Sequence, residues 1–374
     1  MKLDGVKVLD LSSYLPGPML TLMMADHGAS VLRVEPPGGE PSRTIGQGKN
    51  GVSVWFRNTH RGKQAIRLDL KTEADLAVFH SLARQADVVI ESYRPGVADR
   101  LGVGYAAVSA DNPRVVYASI TAFGQDGPYR DRPAHDLAIQ ALAGVVSLNE
   151  GQDGKPTAPH MASADALGSL TALSGILMAL LRRERTGRGD YLDVAMLDSV
   201  TAWTPNLTGS VFALGEPPKP KDGRSWGGSA FTHLYECADG RWLCLAGPEP
   251  KFVRNLLEGL GRPDLAPYAS LPPGPGQAPL RDALRETFLT RSLCDWERWF
   301  EGRDVAYAPV RDLKEAFDDP ALIARGMLAW DGEGAEVVGT AIRFHDEPAQ
   351  IDPRIPGLEA DFAAIIRQGW SLPS

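Results

Sequence analysis

The strongest constraint on the fold is the alternation of strand and helix signals through the first half of the chain. Val6 to Leu11 is an apolar run of strand length. Pro16-Gly17-Pro18 follows, then an apolar helix from Met19 to His27, which Gly28 stops; Ala29 to Val34 is the next strand. Further on come a helix over Glu73 to Gln85 and strands over Asp87 to Glu91 and Val115 to Ile120. Strands spaced by helices of about ten to fifteen residues predict parallel βαβ units, whose right-handed crossovers pack helices on both faces of one sheet. The expected fold class is α/β, with a Rossmann-like, doubly wound large domain.

The long helix Ala164 to Arg183 is small and apolar, as burial requires. Its cationic end, Arg182-Arg183-Glu184-Arg185, suits a helix C-terminus, and Gly187 stops it. A short strand, Tyr191 to Val194, is followed by helix from Met196 to Leu214, broken near Pro205. Composition then shifts, because Gly215 to Gly228 holds three Pro, four Gly and three Lys or Arg and reads as a linker. Phe231 to Ala246 has a hairpin pattern turning at Ala238-Asp239-Gly240, and helical segments follow at Lys251 to Leu260, Leu280 to Leu289 and Cys294 to Phe300. At 374 residues the chain exceeds one average core. It is expected to divide into a large domain over 1–200, with a C-terminal return over about 325–374, a linker over 201–228 and a smaller α+β domain over 229–324.

A net charge of -8 argues against a nucleic-acid or anionic-membrane partner, although local cations can still meet a phosphate. The chain begins without a basic segment leading into an apolar run. Its longest apolar stretches are interrupted short of the ~20 residues that a membrane span needs. A cytoplasmic protein is expected. The three cysteines, Cys237, Cys244 and Cys294, are too few and odd in number for a disulfide framework. With His233 the only nearby imidazole, their spacing matches no standard zinc site, and no metal is expected. Walker, G-x-G-x-x-G, H-E-x-x-H and G-x-S-x-G motifs are all absent. Leu15-Pro16-Gly17-Pro18 stands where such sheets bind ligands, but prolines donate no N–H and make a poor phosphate cradle.

What remains are titratable residues in unusual settings. His135-Asp136 stands just before an apolar, small-residue helix, Leu137 to Val146, and after the loop Gly124-Gln125-Asp126-Gly127-Pro128. Asp165 opens the long apolar helix, with no charged residue in the sixteen positions after it. Local pattern alone files Asp165 as a first-turn acid, His135 as a structural imidazole and Glu249, in Gly247-Pro248-Glu249-Pro250, as a solvated loop residue.

Several segments taken together change that reading. Leu3 to Leu11 through Pro16-Gly17-Pro18, Gly28 to Glu35, Arg67 to Lys71 and Ala86 to Glu91 resemble the family III CoA-transferases, the CaiB/BaiF family. So do Arg94-Pro95-Gly96-Val97, Phe123 to Pro128, Thr186-Gly187-Arg188-Gly189 and Asp193 to Asp198, in the family's order over the first 200 residues. The resemblance implies an interlocked homodimer of ring-like chains and an acyl-CoA substrate, with no cofactor beyond the coenzyme A that the substrate carries. It places the thioester near Asp165 and implies CoA contacts at Leu70, Lys71, Arg94 and Arg100. Where the family's racemases have an arginine, this chain has Pro36, and Arg43 is the candidate substitute.

The family uses this aspartate in two chemistries. In its transferases it is a nucleophile that forms an acyl-aspartyl anhydride and then an enzyme-CoA thioester. In its α-methylacyl-CoA racemases it is one of two acid/base groups flanking the acyl Cα. The enolate formed there needs hydrogen bonds, which the N-terminus of the Asp165 helix is expected to supply. His135-Asp136, Glu249-Pro250-Lys251-Phe252 and the hairpin Tyr235 to Arg241 resemble the racemases. Transferases tend to carry a glycine-rich loop near that hairpin, and Trp226-Gly227-Gly228-Ser229 is only a weak version of it. Met161 stands where racemases have an asparagine that bonds the aspartate, a loss that Ser163 or His160 would have to make good. The helix Asp165 to Leu170 reads more like a transferase. The expectation is therefore a racemase that uses His135, assisted by Glu249, on one face and Asp165 on the other, with Asp136 orienting the site. CoA transfer through Asp165 is the alternative.

Overall fold

The apolar runs of the first half become a six-stranded, wholly parallel sheet. The computed structural model describes residues 1–151, 153–224, 227–357 and 360–372. Trp226, in the weak glycine-rich segment, lies outside the described residues. Contacts divide the chain into two units: Met1–Ala143, Pro159–Trp203 and Phe317–Ser374 form the first, Gly144–Ala158 and Thr204–Ala316 the second.

In the first unit the chain runs β1 (Lys7–Asp10), α1 (Pro16–Asp26), β2 (Ser30–Glu35), a short hairpin β3 (Gly48–Lys49) and β4 (Val52–Ser53), α2 (Val54–His60) and β5 (Gln64–Arg67). There follow α3 (Glu73–Ala83), β6 (Val88–Glu91), α4 (Val97–Arg100), α5 (Tyr105–Asp111), β7 (Val116–Thr121) and α6 (Asp136–Leu142). After these come α7 (Ser163–Thr186), β8 (Asp190–Ala195) and α8 (Met196–Ala202). The strand order is β5-β2-β1-β6-β7-β8. The chain builds outward from β1 to one edge, returns past it and builds the other. That order leaves a switch point between β1 and β6, outside whose carboxyl ends such sheets hold their ligands. Because both faces are covered, the central strands carry apolar residues on both faces, and Val8, Leu9, Val31, Leu32, Val88, Val89 and Ile90 are wholly buried.

Small residues set the position of α7. A Cβ at Gly168 or Gly175 would run into Met196 or Leu192, so the helix lies close against α8 and β8. Ser169 Oγ donates to the Pro16 carbonyl at 2.6 Å and ties α7 to the start of α1. Contrary to expectation, α7 is long and apolar enough, by length and composition, to cross a membrane. One face of it is nevertheless buried within the unit, through Ala164, Ala172 and Ile176.

Under the carboxyl end of β1 lies a buried ionic cluster. Asp10 accepts from Ser12 N at 2.9 Å and Thr21 Oγ1 at 2.7 Å, and faces Arg33 at 3.4 Å and Lys63 at 3.7 Å. Burial alone would raise the Asp10 carboxyl, but the two cations and the hydroxyls hold it below its usual range. Burial pushes Lys63 down to about 7 against the pull of Asp10. The C-terminal return adds an antiparallel pair, Leu328–Trp330 with Glu336–Val338, and sets Ile365 and Trp370 into the sheet's core.

In the second unit, α9 (Gly209–Leu214) precedes the expected hairpin, β9 (Thr232–Glu236) and β10 (Trp242–Ala246), whose turn uses Gly240 at φ 75°. Then come α10 (Pro250–Gly259), α11 (Ala266–Ala269), α12 (Ala278–Phe288), α13 (Leu293–Phe300) and β11 (Tyr307–Pro309). The third strand β11 joins the hairpin in an antiparallel sheet, which shares a core with Leu256, Leu284, Phe288 and Trp296. The helix expected over Leu137 to Val146 ends early. Gly144 adopts φ 80°, and a single 3₁₀ turn over Val145–Leu148 replaces the last part.

Candidate active site

Three loops leave the carboxyl ends of β1, β6 and β7 and wall a cavity of about 380 Å³. Ser13 N donates to Ser92 Oγ at 2.9 Å, joining the loops on either side of the switch point. Tyr14 holds φ 66°, a left-handed conformation that costs a non-glycine residue strain. Its N–H donates to the buried Glu40 Oε1 at 2.9 Å, which fixes that conformation. Its ring then meets His135 edge-on, with centroids 6.2 Å apart. The third loop turns at Gly124, φ 85°, whose N–H donates to Thr121 Oγ1 at 2.9 Å. Gln125 N donates to Asp193 at 2.9 Å, Arg130 Nε donates back to the Gln125 carbonyl at 2.8 Å, and the chain reaches His135 at the N-cap of α6.

Asp136 opens α6 and reaches across to the head of α7. Its Oδ1 accepts from Ala164 N at 2.7 Å and Asp165 N at 3.2 Å, and its Oδ2 accepts from Gln140 Nε2 at 2.5 Å. The neighbouring helix-start donors are also engaged: Ser163 N binds the Met161 carbonyl at 2.8 Å and Ala166 N the Ala162 carbonyl at 3.0 Å. The expectation that this helix N-terminus would hold an enolate oxygen is therefore corrected, because a carboxylate already caps it.

Asp165 stands on the cavity wall together with His135. Among the described residues its carboxylate oxygens have no hydrogen-bond partner, so neither Ser163 nor His160 takes the place of the missing asparagine; the Met161 side chain is exposed. Burial first, and the Asp136 charge second, push the Asp165 carboxyl up from 3.8 to about 7. At neutral pH such a group divides between a basic carboxylate and its acid, and can act as a nucleophile or exchange a proton.

Within the first unit the structure gathers Asp165, His135, Asp136 and Arg94 in this region. Arg94 lines the cavity. Arg100 ends α4, with Nη1 3.2 Å from the point a Gly96 Cβ would occupy, and Arg130 Nη2 lies 3.5 Å from the same point. Leu70 packs on the sheet's core beyond β5 and Lys71 is exposed; neither is on the cavity wall. Arg43 is no substitute for a free arginine at Pro36. It forks onto Glu35 at 2.8 and 2.7 Å, donates to the Pro356 and Gly357 carbonyls and covers the Phe56 ring at 4.1 Å. Glu249 lies in the second unit as the N-cap of α10. A larger cavity, about 950 Å³, lies in that unit among His233, Tyr235, Trp242 and Arg281, and none of the expected site residues lines it. Two cavity arginines escape the sequence reading: Arg130 and Arg132. Their signal is the basic run Tyr129-Arg130-Asp131-Arg132 directly after the quoted Gly127-Pro128. Among the described residues no group of three or more His, Cys, Asp or Glu could hold a metal ion.

Residues 3–362 match CoA-transferase family III. The chain is 34% identical over 378 residues to an acetyl-CoA:oxalate CoA-transferase of Acetobacter aceti, covering 99% of this chain and 96% of the relative. It is 32% identical over 320 residues to the human alpha-methylacyl-CoA racemase, covering 84% of this chain and 79% of that one. The crystal structure of a CAIB/BAIF family protein from Brucella suis superposes with a TM-score of 0.85 at 31% identity, over 98% of each chain. The chain belongs to CoA-transferase family III.

Proposed function

We propose that this member of CoA-transferase family III moves coenzyme A from an acyl-CoA to a free carboxylic acid through covalent intermediates on Asp165. The observation that carries the reading is the state of that carboxylate: unpartnered, on a cavity wall and basic for an aspartate. Exchanging one thioester for another consumes no proton. It calls for a carboxylate that is first nucleophile and then leaving group. Asp165 attacks the thioester carbonyl, the C–S bond breaks, and an acyl-aspartyl anhydride and CoA thiolate result. The thiolate attacks the aspartyl carbonyl and releases the donor's acid, which leaves Asp165 as a CoA thioester. The acceptor carboxylate displaces the thiolate to form a second anhydride. The thiolate then takes the acceptor's acyl group and frees Asp165.

In this scheme Asp136 is a positioning residue that fixes the start of α7. Arg94, Arg100 and Arg130 suit the phosphates of CoA, with Leu70 and Lys71 as further contacts along the carboxyl edge of the sheet. The transferase relative is matched over more of the chain than the racemase relative. The engaged donors at the head of α7 also remove one means of holding an enolate.

One observation keeps a second reading, racemisation, in play: His135 shares the cavity wall with Asp165. The two are separated by supplying a 2-methylacyl-CoA in deuterated water without an acceptor acid. Transfer predicts no deuterium at Cα, acyl transfer once acids are added and hydroxylamine-sensitive labelling of Asp165. Deuterium incorporation without CoA release would overturn it.

The reading includes a second, interlocked copy of the chain. On α7, Leu170, Leu177, Met178 and Leu181 form an exposed stripe at helical spacing, with Met178 66% and Leu181 65% exposed. An unpartnered apolar stripe of this kind is the mark of an interface.

A further inference from the structure

Arg132 has a setting unlike that of its neighbouring arginines. Arg100 and Arg130 converge on Gly96, and Arg130 is further tied to Asp131 at 2.8 Å and to the Gln125 carbonyl. These two cations suit a phosphate. Arg132 stands on the wall segment Arg132-Pro133-Ala134-His135, every residue of which lines the cavity that holds Asp165. Its guanidinium carbon lies 5.4 Å from the centroid of the Tyr129 ring, and that ring packs on Phe123 with centroids 5.5 Å apart. Among the described residues no carboxylate lies within ion-pair distance of it, and Asp165 is the only acidic side chain on the cavity wall. The wall therefore offers an aromatic-backed guanidinium with its donors open, beside a nucleophile that itself consumes one carboxylate.

We propose that Arg132 determines specificity by holding the second carboxylate of a short dicarboxylic acid while the first exchanges at Asp165. This rests on the transferase reading of the same site. The planar fork of arginine matches a carboxylate bidentately, and the exposed Arg132 keeps the Tyr129 ring within cation–π range as a partner on one side. A monocarboxylic acid of equal length would leave the guanidinium unmatched and place an apolar terminus against it. Discrimination therefore follows from the presence of the charge, not from the length of the acid.

The test compares glutarate with valerate as acceptors from one donor, succinyl-CoA, with product CoA esters separated chromatographically. Wild-type protein is expected to favour glutarate. In Arg132→Gln the glutarate-to-valerate ratio of kcat/KM is expected to fall roughly 10- to 100-fold, as loss of one charge-assisted carboxylate contact implies. Arg132→Lys should recover part of that ratio. A general loss of packing would lower both acids together and leave the ratio in place, so an unchanged ratio overturns the assignment. If Arg132 instead serves a phosphate of CoA, both acceptors lose equally and the ratio stays in place, which also overturns it. Wild-type protein that transfers to valerate as readily as to glutarate refutes dicarboxylate selection while leaving transfer intact. Transfer to neither acid would overturn the underlying reading and this inference with it.

Discussion

Replacing Asp165 by Asn should stabilise the fold at alkaline pH, by an amount that can be worked out from the site. Two effects act on this carboxylate in opposite senses. A negative charge in the first turn of a helix gains about 0.3–1 kcal/mol from the helix dipole. Burial and the like charge of Asp136 instead drive the group from 3.8 up to about 7. Taken at face value that rise corresponds to about 4 kcal/mol once the group is ionised. Asp165 is only partly buried and water reaches its cavity, so a figure on the order of 2 kcal/mol is more realistic. The sign follows from which state holds the proton more tightly. The folded state does, so the contribution to stability is full below the unfolded value near 4 and is lost as pH rises through about 7. More than half of that loss, about 1 kcal/mol, falls between pH 5 and pH 8. Asn keeps the shape and removes the titration. Urea unfolding of both proteins at pH 5 and pH 8 should show the variant's advantage widening by about 1 kcal/mol at the higher pH, together with loss of activity. An advantage that is the same at both values, or that shrinks at pH 8, would refute the claim that Asp165 is held against ionisation.

Asp136→Asn removes the like charge but keeps an acceptor at the head of α7; the rising limb of kcat/KM, expected near 7 in the wild type, should move to lower pH, for about 1 kcal/mol of cap stability. A pH–rate profile with an unmoved limb would show that Asp136 does not tune Asp165. Asp10→Asn takes from buried Lys63 its ion pair and leaves Arg33 with Glu35 and Glu40, each at 3.9 Å; it should cost about 3–5 kcal/mol in urea unfolding, whereas a cost below about 1 kcal/mol would mean that the cluster tolerates the loss. Glutamates at both Met178 and Leu181 should shift the protein toward the monomer in analytical ultracentrifugation; an unaltered assembly would place the interface elsewhere.

The fold was legible where burial acts on both faces of an element. β1, β2, β6 and β7 are predominantly apolar runs because helices cover the sheet on either side. β5 escaped because only Ala65 and Ile66 are buried between the polar ends Gln64 and Arg67, a pattern too short to separate from a loop. β11 escaped for a similar reason: its three residues take their order from pairing with β10, more than sixty residues away. Arg43 shows the corresponding limit on side chains. Its spacing allowed it to stand in for the arginine missing at Pro36, but its guanidinium is spent on Glu35 and on carbonyls more than 300 residues distant.

Asp165 shows why the chemistry was harder to read than the fold. An acid in the first turn of a helix is ordinarily stabilised there as a carboxylate, and by local pattern Asp165 is such an acid. In the structure Asp136, 29 residues earlier, takes the Asp165 N–H, and it takes that of Ala164 as well. The role that sequence assigns to Asp165 is therefore performed by another residue. Asp165 is left in the cavity wall with burial and a neighbouring negative charge as its main influences. A carboxylate that caps its own helix is held ionised and unreactive by those bonds, whereas one displaced from the cap stays basic and open to a carbonyl carbon. The reactivity of the site thus depends on a contact between two acids on two helices, which no window of local sequence contains.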